Sequence, residues 1–121
     1  MVADATELPY KDNSFDNATA FFSCMYMSED IKKDVFRETK RVLKKGGEFW
    51  VWDGNMPPKS KVFAIRLAVE LNVIPTIRTL YGGKAKDQSA TSVCSLLREA
   101  GFETEVIAND KHTFFIKAKN L

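Results

Sequence analysis

The sequence is poor in the residues that mark metal and covalent chemistry, with two cysteines and one histidine in 121 residues. Cys24 and Cys94 stand far apart with no Cys-x-x-Cys pair, which argues against a disulfide framework and a clustered zinc site; no metal is expected. No apolar run is long enough to span a bilayer, and no basic-then-apolar segment opens the chain. Neither a membrane partner nor export is expected, and a reducing cytoplasm is the default setting. Charge of one sign is also missing: 18 Lys and Arg against 16 Asp and Glu leave a formal net charge of +2. That is too little for a nucleic-acid footprint, so no nucleic-acid partner is expected and the lysine pairs Lys32-Lys33 and Lys44-Lys45 read as solvated faces. Glycine is scarce, and none of the six forms a Gly-x-Gly-x-x-Gly loop after a strand.

What is present is an ordinary globular composition, 45% hydrophobic and 28% charged. It suits a single domain, residues 1–121, with one modest core. The organising stretch runs from Asp4 to Asp53. Residues 17–22 (NATAFF) are apolar or β-branched on both faces, as in a strand covered on both sides. Ser28 can cap a following helix, with Glu29 and Asp30 in its first turn and Lys40, Arg41, Lys44 and Lys45 near its end, matching the macrodipole. Ile31, Val35, Phe36, Val42 and Leu43 share one stripe, and Lys32, Lys33, Asp34, Arg37 and Glu38 lie away from it. Gly46 stands where the chain must turn left-handed to leave. Residues 49–52 (FWVW) then re-enter as a second buried strand. Strand, crossover helix and strand make a βαβ unit, which is expected to be parallel.

Residues 54–61 read as a loop fixed by Pro57 and Pro58. Residues 62–71 read as a helix apolar on more than one face, and 74–81 as a short helix resumed after the Pro75 break. Ser89 or Thr91 can cap another helix, with Val93, Leu96, Leu97 and Ala100 at helical spacing and Gly101 at its end. Residues 102–108 and 112–118 read as two strands joined by Asn109-Asp110-Lys111, an antiparallel hairpin. His112 has no visible partner, and a structural or exposed role is expected of it. No catalytic group stands out: Cys24 lacks an identifiable histidine or acid to activate it as a nucleophile.

The pieces Asp4-Ala5, Leu8-Pro9-Tyr10, Asn13-Ser14-Phe15-Asp16 and Arg41-Val42-Leu43-Lys44-Lys45-Gly46-Gly47 occur in an order and spacing that closely resemble class I S-adenosylmethionine-dependent methyltransferases. The resemblance is narrowest to the small-molecule, ubiquinone/menaquinone-biosynthesis type. The terminal helix, Ala-Gly-Phe and hairpin extend it loosely to Leu121. It implies an α/β fold: a truncated Rossmann-like methyltransferase sheet, with parallel strands and a C-terminal antiparallel hairpin, corresponding to the C-terminal part of the family's domain. It implies S-adenosylmethionine as cofactor, if the site is completed, and a small-molecule acceptor. An alternative is a relic or interaction module that keeps the sheet and has lost the cofactor site.

By the same resemblance, Asp4 and Ala5 line the adenine pocket; an Asp4 that merely caps a turn is the competing reading. Ser23 and Cys24, at the carboxyl end of the first strand, lie nearer the methyl group. Tyr26 lines the acceptor pocket or packs, and Tyr81 belongs to a variable region that covers the acceptor. Many relatives carry a Leu-His-His-like run where this chain has Cys24, Met25 and Tyr26. The family's glycine-rich loop and ribose-binding acid have no counterpart in the sequence. Its order also places another strand beside residues 17–22, so a bare edge is expected here, covered by a second copy of the chain or by a chain carrying the N-terminal half.

Overall fold

The computed structural model describes residues 3–56, 62–69, 77–84 and 88–121, with only the backbone described for 62–69 and 77–84. The elements run β1 (Phe15–Phe21), a single 3-10 turn (Cys24–Tyr26), α1 (Glu29–Val42), β2 (Leu43–Gly54), β3 (Val62–Val69), β4 (Ile77–Lys84), α2 (Ala90–Glu99), β5 (Phe102–Asn109) and β6 (Thr113–Asn120). One sheet has the order β1-β2-β6-β5 and a second pairs β3 with β4. β1 and β2 are parallel, with Ala18 opposite Phe49 and Ala20 opposite Val51. β6 is antiparallel to β2 on one side and to β5 on the other. The terminal hairpin therefore enters the sheet with its second strand inside.

Side chains alternate across the strands. Phe49 and Val51 of β2 and Phe114, Ile116 and Ala118 of β6 form one core cluster with Val35 and Phe36 of α1 and Val93, Leu96 and Leu97 of α2. Both helices thus bury their stripes on one face of the sheet. The opposite face carries Trp50, Trp52 and Phe115, with the Trp52 and Phe115 rings stacked 4.0 Å apart and Lys117 over Trp50.

α1 begins as its sequence predicts, with the Ser28 hydroxyl accepting from the Ile31 amide at 3.3 Å and Glu29 and Asp30 in the first turn. Gly46 leaves in the left-handed region at φ +80°. Its neighbour is constrained by space instead, since a Cβ on Gly47 would stand 2.8 Å from the Asp16 carbonyl oxygen. α2 is capped by Ser89, whose hydroxyl accepts from Ser92 while Ser92 reaches back to the Ser89 amide.

Three expectations are corrected. Within the stretches 62–71 and 74–81, read as helices, the described residues 62–69 and 77–81 belong instead to the antiparallel strands β3 and β4, with Ile65 opposite Tyr81. An almost unbroken apolar run carries no period to separate helix from strand, and the β-branched Val62, Ile65, Val69, Ile77 and Thr79 suit a paired strand. Residues 17–22 were expected to be covered on both faces. β1 is the edge strand expected of it, but only one face is covered, with Ala18 and Ala20 on the core and Phe21 44% exposed. Ile31, placed on the buried stripe, is exposed, while Lys32 is 5% exposed because it lies in the groove between α1 and α2, where its long stem packs. Phe15, just before this stretch, is also exposed, with its ring edge-on to Tyr10. The proline loop, the Pro75 break and residues 85–87 lie outside the described residues.

Candidate functional site

Of the sequence-predicted residues, Ser23, Cys24 and Tyr26 follow the carboxyl end of β1, which runs parallel to β2, the end at which α/β sheets place ligands. The chain leaves β1 through Phe22 in the left-handed region, at φ +49°, a conformation that is uncommon for a bulky side chain and marks local strain. Phe22 keeps its amide on the Trp52 carbonyl at 2.8 Å and buries its ring with Met25 and Met56. Ser23 follows, half-buried, its hydroxyl donating to the Phe21 carbonyl at 3.3 Å. The 3-10 turn comes next, and Ser28 then starts α1.

Cys24 is fully buried in the core cluster. Burial, and after it the charge of Asp53, pushes its thiol up from an ordinary 9.0 to about 12. A thiol so held is a packing group and no nucleophile. Tyr26 sits at the end of the turn, 51% exposed.

Asp53, at the end of β2, is the group that ties these elements together. It is fully buried. One carboxylate oxygen, Oδ2, accepts from the Cys24 amide at 2.8 Å. The other, Oδ1, accepts from the Gly54 amide at 2.8 Å and from the Gln88 carboxamide at 2.9 Å. Burial raises its pKa, against the pull of these hydrogen bonds. Sequence reasoning used Asp53 only as the end of a motif. A lone carboxylate closing an apolar parallel strand was the available signal. Gln88, also buried, carried none.

Asp4 and Ala5 precede β1. Asp4 is exposed, and its Oδ1 accepts from the Thr6 amide at 2.9 Å and the Thr6 hydroxyl at 2.6 Å. Those bonds hold its carboxyl below the usual range. This is the turn-capping geometry; both Thr6 bonds fall on one oxygen, so Oδ2 retains acceptor capacity. Ala5 packs against the core. Tyr81 lies in β4, away from this cluster in sequence and placed by its backbone register opposite Ile65. A groove of about 350 Å³ between α1 and α2, lined by Met27, Ser28, Lys32, Ser92, Leu96 and Glu99 among others, includes none of the expected site residues. Among the described residues no group of three or more His, Cys, Asp and Glu is placed to hold a metal, and no helix is long and apolar enough to cross a membrane.

A family described as "Methyltransferase domain" matches residues 1–51, the segment that builds β1, α1 and most of β2. The chain is 32% identical over 116 residues to a demethylmenaquinone methyltransferase of Thermotoga maritima, covering 85% of this chain and 49% of that protein. It is 42% identical over 53 residues to a sterol 4-C-methyltransferase of Caenorhabditis elegans, covering 44% of this chain and 15% of the relative. An S-adenosylmethionine-dependent methyltransferase from Aquifex aeolicus superposes on all of this chain and 54% of its own, with a TM-score of 0.66 at 19% identity. The chain thus spans about half the length of the Thermotoga relative. Its first 51 residues thus match a methyltransferase-domain family, and its four-stranded sheet has the fold of the Aquifex methyltransferase.

Proposed function

We propose that the protein transfers a methyl group from S-adenosylmethionine to a small molecule, with this chain forming the C-terminal part of the methyltransferase domain. One observation carries the reading: the segment matching the methyltransferase domain contains β1, α1 and most of β2, the parallel unit whose first strand is followed by Ser23, Cys24 and Tyr26. The cofactor supplies a methyl group made electrophilic by its sulfonium. Such a transfer depends mainly on positioning donor and acceptor in line, which accords with a site that has no catalytic dyad.

The residues present fit the adenine side of the cofactor. Asp4 retains an acceptor for an exocyclic amine, and Ala5, held against the core, offers its main chain beside it. Ser23, half-buried at the end of β1, sits nearer the methyl group. Cys24 takes part through its main chain, its thiol being inside the core. Tyr26, and Tyr81 from β4, belong to the acceptor side. The glycine-rich loop and the ribose-binding acid have no counterpart in the sequence, so the opposite wall must come from elsewhere.

The exposed edge of β1 and the apolar Phe21 beside it support a covering partner: a second copy of this chain or a chain carrying the N-terminal half. The two buried free cysteines accord with a reducing cytoplasmic setting. Titration with S-adenosylhomocysteine, followed by calorimetry and by amide shifts, tests the reading. Saturable binding that perturbs Ala5 and Ser23 is the expected result. Silence at millimolar ligand, both alone and with the N-terminal half of a relative added, would leave a methyltransferase-like relic.

A further inference from the structure

Met56 and Gln88, which stand on either side of β3 and β4 in the sequence, meet in a narrow neck. Met56 and Gln88 close it with a pair of main-chain bonds of 2.8 and 3.3 Å. Asn55 braces it, accepting from the Ala90 amide at 3.2 Å and donating to the Asp110 carbonyl at 2.8 Å. β3 and β4, and with them Tyr81, lie between the two sides of this neck. The Gln88 side chain turns inward from it and donates both to Asp53 and, at 2.9 Å, to the Gly54 carbonyl. Asp53 in turn accepts the amide of Cys24, two residues past the left-handed Phe22. One buried carboxylate therefore meets both the turn that follows β1 and the neck of the β3–β4 excursion.

The geometry points to Asp53 as a positioning residue for methyl transfer. It holds the 22–26 turn in its left-handed entry, and through Gln88 it sets that turn against the neck that carries β3 and β4. The inference rests on the proposed function for its purpose, since the turn bears Ser23 and Tyr26 on the cofactor and acceptor sides. A carboxylate suits the task because Cys24, Gly54 and Gln88 all present donors to it. It accepts on both oxygens, where a carboxamide of the same size must turn an N–H₂ toward one of those donors.

The test compares amide hydrogen exchange in the unaltered chain, Asp53→Asn and Asp53→Asn/Gln88→Glu. In the double variant the carboxamide introduced at position 53 can give its oxygen to the Cys24 amide and its N–H₂ to the carboxylate introduced at position 88. In the single variant Cys24 and Met25 should exchange faster by on the order of tenfold or more, while Val51 and Ile116 in the sheet stay protected. The double variant should restore protection at Cys24, and S-adenosylhomocysteine affinity should fall and recover in step with it. Unchanged exchange at Cys24 in Asp53→Asn would overturn the inference. Equal acceleration at Val51 and Ile116 would also overturn it, because Asp53 would then serve the whole sheet. Absence of ligand binding by the unaltered chain, both alone and with the N-terminal half of a relative added, would strike the proposed function and leave the exchange result to judge the positioning role.

Discussion

Arg41 donates from Nη1 to the main-chain carbonyl of Tyr10 at 2.8 Å. Its Nη2 donates to the Leu8 carbonyl at 3.0 Å, and Asp12 and Glu38 pair with the same guanidinium. The Leu8-Pro9-Tyr10 motif and the Arg41-Val42-Leu43 motif are thus one structural object, the fork of Arg41 serving two carbonyls of a segment that has no ladder of its own. The Glu38 hydrogen bond, then that of Asp12, raises the already high pKa of Arg41, so it stays charged at any working pH. Arg41→Lys keeps the charge and loses the fork. It should speed amide exchange at Asn13 and Ser14, which bond to the carbonyls of Arg41 and Val42, and lower the melting temperature. Equal protection of these amides in both proteins would show that the fork contributes nothing.

The two adjacent glycines should respond differently to alanine. A Cβ on Gly47 meets main-chain oxygens of Asp16 at 2.8 Å and Lys44 at 2.9 Å, so Gly47→Ala requires the strand ends to separate. A cost of about 1–3 kcal/mol follows from overpacking of this kind. Gly46 has open space around it and a positive φ, and Gly46→Ala should cost about 1 kcal/mol. Denaturant unfolding of the two variants checks the ranking, and a Gly46 variant less stable than the Gly47 variant would refute it.

Cys24 and Asp110 set opposite pH limits on stability. For Cys24 the folded thiol titrates at about 12 and the ordinary thiol at 9.0. The unfolded chain therefore releases its proton first, and stability present below 9.0 is lost as pH rises from there toward 12. Asp110 has the reverse sign. Amide hydrogen bonds from Thr113 and then His112 hold its carboxyl below the usual 3.8, so its contribution is present above that value and lost as pH falls through the lower folded one. Cys24→Ala should flatten the alkaline limb and Asp110→Asn the acid limb in pH-dependent denaturation. An alkaline limb unchanged in Cys24→Ala would contradict the burial argument.

Thiol labelling supplies an independent check on the core. Cys24 and Cys94 are both buried, so neither should react with a maleimide in the native chain at neutral pH, and both should react in denaturant. Labelling of Cys24 under native conditions, at a rate independent of unfolding, would place it on the crevice wall instead.

Local signals were legible wherever one short segment decides its own geometry. Ser28 and Ser89 cap the helices they were expected to cap, the second from a choice of two. Gly46 takes the positive φ its position demanded. Asp110, within the expected hairpin connection, accepts the amides of His112 and Thr113 at 2.8 Å, and the strands on either side pair antiparallel. His112 is exposed, as its lack of partners suggested. Residues 62–69 and 77–81 were misread because a largely apolar run has the same appearance in either conformation until its partner is known. Of the site, the segment after β1 was legible from its place at a strand end. The carboxylate holding that segment was not, because its partners stand 29 and 35 residues away along the chain.

The sequence by itself determined the helix caps, the left-handed exit, the parallel unit and the likeness to a methyltransferase domain, since each depends on residues close together in the chain or on a motif whose spacing survives as text. Only the tertiary structure decided that 62–69 and 77–84 pair as strands, that β6 lies between β2 and β5, that Lys32 goes inward while Ile31 faces out, and that Asp53 joins the turn after β1 to Gln88. Strand pairing and burial are set by which surfaces meet, and that depends on contacts between segments whose separation in sequence carries no local trace.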